Sequence, residues 1–383
     1  MRGKAGVLGL LAVVMVAPAS AAAQSVQQTD PGGLLDRLAG LTEDDALSIG
    51  GVGYFRYWYR IDGDDRGATE GQNTFELWRL YLTLKAKMTE WLGLRVTLDA
   101  GPDSSVTATT QSPEPVGDPP PEVPDHTHDV TVPGNAAYSA FVKFAYFDVA
   151  LPFELSIQAG VIPSVWTGRT DEFWGFRFVA REAFEEEKLL FSADIGGQLT
   201  WKMPLGIGET VLAFVNGTGF RSALDGDEYK TLQARVTFTP LARCCELFKT
   251  LELGAYLSFP LGQDNPRNQL AAFIGYKHDW FRIGYQFFYQ DDQSGATRAA
   301  GMGHAAYFRF QTPWGVGALA RFAIWDSNAD VTTNVKNLRL YAGAFYQPVS
   351  FLTLAAVDAV TWYRDGANPS SVNTFLLSTE FRF

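Results

Sequence analysis

The sequence predicts an all-β chain, a transmembrane antiparallel β-barrel of about sixteen strands, and three observations carry that prediction. From Ser48 onward apolar residues recur with a period of two, in runs of about 9–13 residues broken by turn chemistry. The runs total about sixteen, an even number, and the connections between them alternate short and long. The composition agrees. Of 383 residues 46% are hydrophobic and 14% aromatic, yet past residue 17 no apolar run approaches the ~20 residues of a spanning helix. A soluble sandwich also alternates, but its strands are about half as long.

The first 23 residues have the form of a secretory signal. Arg2 and Lys4 precede an apolar stretch, Ala5 to Ala17, and Ala21-Ala22-Ala23 offers a small-residue cleavage site. The formal net charge of −11 becomes about −13 once those two basic residues are removed. Residues 24–47 are polar and acidic and are expected to form a periplasmic lead-in, with the barrel over 48–383.

Strands are expected near 48–60, 74–88, 92–100, 137–149, 153–162, 190–203, 209–218, 229–239, 249–259 and 268–278. Six more are expected near 280–290, 301–311, 315–326, 337–347, 350–363 and 372–383. In the second run Trp78, Leu80, Leu82 and Leu84 point one way, and Arg79, Tyr81, Thr83 and Lys85 the other. Phe153, Leu155, Ile157 and Ala159 alternate likewise with Glu154, Ser156, Gln158 and Gly160. Aromatics at run ends, among them Tyr57, Trp58, Tyr59, Trp91, Trp201, Trp280, Trp314, Trp325 and Trp362, predict interfacial girdles. Asp358 falls on the apolar face, which predicts a bulge between Ala355 and Ala356.

In lipid the outward face is apolar, so the polar face lines the lumen. The alternation assigns thirteen basic residues to that face, against five acids, namely Asp99, Glu154, Asp194, Glu252 and Glu380. The principal pore-lining candidates are Arg79, Arg95, Lys143, Arg235, Arg282, Arg321 and Arg339. The acids concentrate instead in the lead-in and the long loops, so total charge is a poor guide to the pore. Cationic walls around a narrow channel concentrate anions. The competing reading is that these bases are paired within the lumen and brace the barrel.

The connection at 163–189 carries Trp166, Phe173, Trp174, Phe176 and Phe178, too many aromatics for a solvated loop. It is expected to fold inward and narrow the lumen, presenting Trp166, Arg169, Asp171, Glu172, Arg177 and Arg181. An external flap against a neighbouring barrel is the alternative. The loop at 101–136 is proline-rich and acidic and predicts an extended segment, in which His126 and His128 make only a weak metal motif. Cys244 and Cys245 are adjacent and form no disulfide framework. The four histidines lack a serine or cysteine partner in any recognisable pattern, so no catalysis, cofactor or metal is expected.

Phe75 to Lys87, Leu92 to Asp99, Gln158 to Trp166, Trp174 to Phe178, Ser192 to Gly196 and the terminal Phe383 together resemble the outer-membrane porins of the phosphate-selective O and P type and related carboxylate-specific barrels. That resemblance implies a sixteen-stranded porin, usually a homotrimer, whose third long loop sets the constriction. One departure stands out. The candidate loop carries Asp171, Glu172, Glu182, Glu185, Glu186 and Glu187 against Arg169, Arg177, Arg181 and Lys188. General passage of anions or small hydrophilic solutes is therefore the expected function, without phosphate selectivity. The competing function is a non-conducting structural or adhesive barrel acting through acidic loops. Outer-membrane lipid is the expected surrounding, and no nucleic-acid partner is expected.

Overall fold

Strands with one apolar and one polar face leave exposed edges unless the sheet closes on itself. Closure is what the chain does. The structure, a computed structural model, describes residues 46–383 apart from 65–67, 104–105, 111–127, 133–136, 222–227, 245, 264–265, 295–296, 330–334 and 366–369. The expected signal and nearly all of the lead-in lie outside the described residues.

The first strands are β1 (Leu47–Asp62), β2 (Asn73–Lys87), β3 (Leu92–Asp103), β4 (Val106–Thr110), β5 (His128–Val132), β6 (Ala137–Leu151), β7 (Leu155–Pro163), β8 (Ala193–Lys202) and β9 (Gly208–Val215). They are followed by β10 (Lys230–Phe238), β11 (Glu252–Leu261), β12 (Arg267–Lys277), β13 (Phe281–Ser294) and β14 (Thr297–Gln311). The last are β15 (Val316–Asp326), β16 (Val335–Val349), β17 (Leu352–Asp365) and β18 (Ser370–Arg382). Sixteen of these close into one antiparallel barrel, β1 pairing with β18, while β4 and β5 form a separate hairpin. That hairpin occupies part of the loop expected to be extended; its proline-rich middle, with His126, lies outside the described residues.

The outward face is a band of exposed large apolar side chains, including Leu98, Phe147, Phe214, Ile283, Phe322 and Leu377. A surface this apolar around a whole barrel is what a hydrocarbon surrounding requires. At the closing seam Phe55 stacks on Phe381 with ring centroids 5.6 Å apart.

Four assignments from the alternation change. The β1–β2 register shifts between Tyr54 and Phe55, opposite Arg79 and Leu77, so Trp78 is the extra residue of a bulge and turns into the lumen. Trp325 also faces inward, stacked on Phe288, rather than joining a girdle. Glu154 and Phe153 form a turn at positive φ before β7 begins, which removes Glu154 from the lumen count. Asp358 pairs in unbroken register with Ala342 and Phe375, so no bulge lies at Ala355 and it stays on the outward face. Cys244 is exposed in the turn after β10, and Cys245 lies outside the described residues.

Candidate channel and constriction loop

The connection between β7 and β8 folds into the barrel. It forms two helices, α1 (Thr167–Trp174) and α2 (Ala183–Glu186). Eight residues, and four in the second, are too few to hold a helix alone; tertiary packing fixes these. Trp166, Phe173, Trp174, Phe176, Phe178 and Phe184 are all buried in one cluster with the inward rings of the wall. Trp166 lies against Tyr256 at 5.7 Å, Phe176 edge-on to Phe345 at 4.8 Å, and Phe184 stacks on Phe288 at 5.0 Å. Phe173 enters a slot that two glycines leave open. Gly275 and Gly284 are directly paired across β12 and β13, and a Cβ on either would stand 2.6 or 2.5 Å from the Phe173 ring.

Polar contacts then pin the loop. Glu182 caps α2, accepting from the backbone N–H groups of Phe184 and Glu185, and it also accepts from Gln286 Nε2 at 3.2 Å. Tyr307 donates to Gln286 at 2.6 Å and accepts from the Ala183 N–H. Arg169 Nε donates to Glu252 at 2.8 Å. Arg321 donates to the Arg181 carbonyl and pairs with Glu186, and Arg339 pairs with Glu187 at 2.7 Å. The loop therefore packs against β11 to β16 and β1, and its carboxylates answer the bases of that wall.

The pore-lining candidates divide accordingly. Arg321 is 0% exposed beneath the loop and holds it, so its charge does not meet the lumen. Arg339 and Arg235 are likewise bound, to Glu187 and to Glu209. Glu209 is an inward acid that the alternation had not supplied. Arg79 and Lys143 share Asp99, at 3.4 and 3.7 Å, on β2, β3 and β6. A second bulge places Lys143: the β3–β6 register skips it between Phe144 and Val142. Together with Tyr54, Trp78 and Tyr81 these residues face Arg177, Arg181 and Glu185 of the loop across a cavity of about 490 Å³. Nearer the short-turn rim, Lys85, Lys87, Arg95 and Lys202 line another of about 540 Å³. Arg282 lies on the opposite wall. Among the described residues, none of Lys85, Lys87, Arg95, Lys202, Arg282 and Arg309 has a carboxylate within 4.0 Å.

On the loop face, Arg177 bridges Asp171 and Glu185. Burial pushes the Asp171 carboxyl up to about 6, with the Glu185 charge adding and Arg177 opposing. Burial acts upward on Glu185 too, but the charge and hydrogen bonds of Arg177 outweigh it and hold that carboxyl down to about 2. Asp171 is thus the loop carboxylate that titrates in mild acid, whereas Glu182, pushed up to about 8 by burial, takes up its proton above neutrality. As pH falls from 7.5 to 5 Asp171 takes up a proton and the loop gains one positive charge. The anion-to-cation permeability ratio in a planar bilayer is expected to rise over that interval, and Asp171→Asn to remove the step.

No family model matches the sequence, and no curated protein does. Solved structures match over most of their length. The anion-selective porin from Comamonas acidovorans superposes with a TM-score of 0.59 at 10% identity, over 88% of this chain and 99% of that one. The outer membrane channel DcaP of Acinetobacter baumannii gives 0.55 at 12% identity, over 88% and 97%. The trimer form of OmpT, an outer membrane protein of Vibrio cholerae, gives 0.56 at 10%, over 88% and 99%. At such identities the likeness is one of fold. The chain has the fold of the outer-membrane porins, a closed sixteen-stranded antiparallel barrel with its third long connection folded inside.

Proposed function

We propose that the chain forms a water-filled channel for passive diffusion of small hydrophilic solutes across a bacterial outer membrane, with anions preferred. One observation carries the preference. The lumen acids are largely held in ion pairs with the wall or the loop, whereas six bases facing the lumen have no carboxylate within 4.0 Å among the described residues. Unanswered cations between low-dielectric walls raise the local anion concentration. The proposed assembly is a homotrimer, in keeping with the trimer form of the Vibrio cholerae protein that shares the fold. Phosphate selectivity is not part of the proposal, because the loop brings its own acids to the constriction.

The test is the reversal potential of the folded protein in a planar bilayer under a potassium chloride gradient. An anion-selective potential is expected. Replacing Lys85 and Arg95 by glutamine should lower the permeability ratio by about threefold or more, because two lumen charges disappear together. Cation selectivity would mean that the acidic outer loops set the field. Absence of conductance from folded protein would favour the non-conducting, adhesive barrel.

A further inference from the structure

The strand registers bring three cations into one row. Lys277 of β12 is directly opposite Arg282 of β13, and Arg282 is directly opposite Arg309 of β14. Neighbouring strands lie about 4.8 Å apart, and like charges directly opposite one another destabilise a sheet. The local environment does little to relieve this row. Glu172 comes within 3.9 Å of Lys277, but it is 63% exposed and bound at 3.1 Å by Arg169. No carboxylate among the described residues reaches within 4.0 Å of either arginine.

The loop also shapes the space above the row. Gly175 ends α1 in the left-handed conformation, φ 73°, its N–H donating to the Asp171 carbonyl at 2.7 Å. A Cβ at Gly175 would stand 3.3 Å from Arg309 Nη1 and 3.8 Å from Arg282 Nη1. Two guanidinium groups from adjacent strands therefore converge on one small volume, and glycine keeps it open. Arg309 is held there against the paired rings of Phe176 and Phe345, 5.3 and 5.2 Å away. The cavity below, about 280 Å³, is lined by all three cations with Thr250, Asp279 and Gln311.

We infer that this row is a binding site for a multiply charged oxyanion, on the short-turn side of the loop. Paired arginines suit planar carboxylates and tetrahedral oxyanions, which accept several N–H bonds at once. A monovalent halide could neutralise only one of three adjacent charges. The inference deepens the proposed channel function by naming a solute class, and it rests on that reading for its physiological meaning. The site itself is a property of the folded barrel, testable without conduction.

The experiment pairs two readouts on the full, detergent-folded chain and on Arg282→Gln/Arg309→Gln. Isothermal titration with succinate and with sulfate reads binding directly. Single-channel current in potassium chloride, with the same anions added, reads occupancy of the conducting path. Both dianions should bind the parent and reduce its chloride current, with dissociation constants raised tenfold or more in the double variant. Stronger succinate binding would indicate an extended dicarboxylate, and stronger sulfate binding a compact tetrahedral anion; either supports the site. Heat-modifiable gel mobility checks that the variant folds, and Lys277→Gln alone should weaken binding by a smaller factor. Absence of dianion binding to the parent, or equal binding to both proteins, would overturn the inference. Binding without any conductance would instead overturn the channel reading and leave the site standing.

Discussion

Replacing Arg321 by alanine will release the loop from the barrel wall. The guanidinium is 0% exposed, pairs with Glu186 and donates to the Arg181 carbonyl, with Trp174 and Tyr341 rings at 5.8 and 4.6 Å. Alanine leaves the Glu186 carboxylate with the Tyr341 hydroxyl and the more distant Arg339, at 3.9 Å and already bound to Glu187. Breaking a buried pair from one side costs about 3–5 kcal/mol, more than most loops can lose and stay docked. Single-channel conductance should rise severalfold, and trypsin should cut after Arg181 or Lys188 in the folded barrel. Removing Glu186 as well should recover part of the loss, since no uncompensated charge then remains. Conductance unchanged in Arg321→Ala would mean that the aromatic cluster alone holds the loop.

The aromatic cluster has its own test at Trp174. Its side chain is 1% exposed, packs on Phe176 at 5.2 Å and Tyr307 at 5.8 Å, and donates from Nε1 to the Ala180 carbonyl at 3.2 Å. Trp174→Ala should cost about 3–5 kcal/mol, the range for emptying a buried aromatic site. Amide hydrogen exchange over 174–186 should then quicken while the barrel strands keep their protection. Trp174→Phe should cost much less, about 1 kcal/mol for the lost hydrogen bond beyond a partial cavity. Equal exchange in Trp174→Ala and the parent would show that ion pairs, not packing, keep the loop inside. The two variants thus separate the charged and apolar parts of one docking surface.

Much of the fold was legible because a strand's two faces meet two different solvents. Every one of the sixteen expected runs overlaps a barrel strand, and most ends fall within a few residues. The inward loop was legible for a similar reason: Trp166, Phe173, Trp174, Phe176 and Phe178 could find cover only in the lumen. Bulges were not legible. An extra residue at Trp78 or Lys143 leaves the local alternation readable, and only the partner strand shows which residue it skips. Trp325 misled because a ring near a strand end suits a girdle or a stack equally well, and only Phe288, two strands away across Gly303, decides.

The charge count failed more instructively. Alternation along the wall gave thirteen bases and five acids, but a loop's side chains have no alternation to read. Once folded in, that loop sets Glu186 and Glu187 against Arg321 and Arg339, and Arg169 against Glu252. Among the described residues, six of those wall bases are left without a carboxylate, lying outside the loop's reach or meeting only its neutral parts, and cross-strand register alone aligns Lys277, Arg282 and Arg309. By itself the sequence determined the barrel, its strand number and the burial of one loop, because those follow from matching each face to lipid or water. Which cations remain unpaired was decided by tertiary structure, because charge neutralisation depends on distances between residues far apart in the chain.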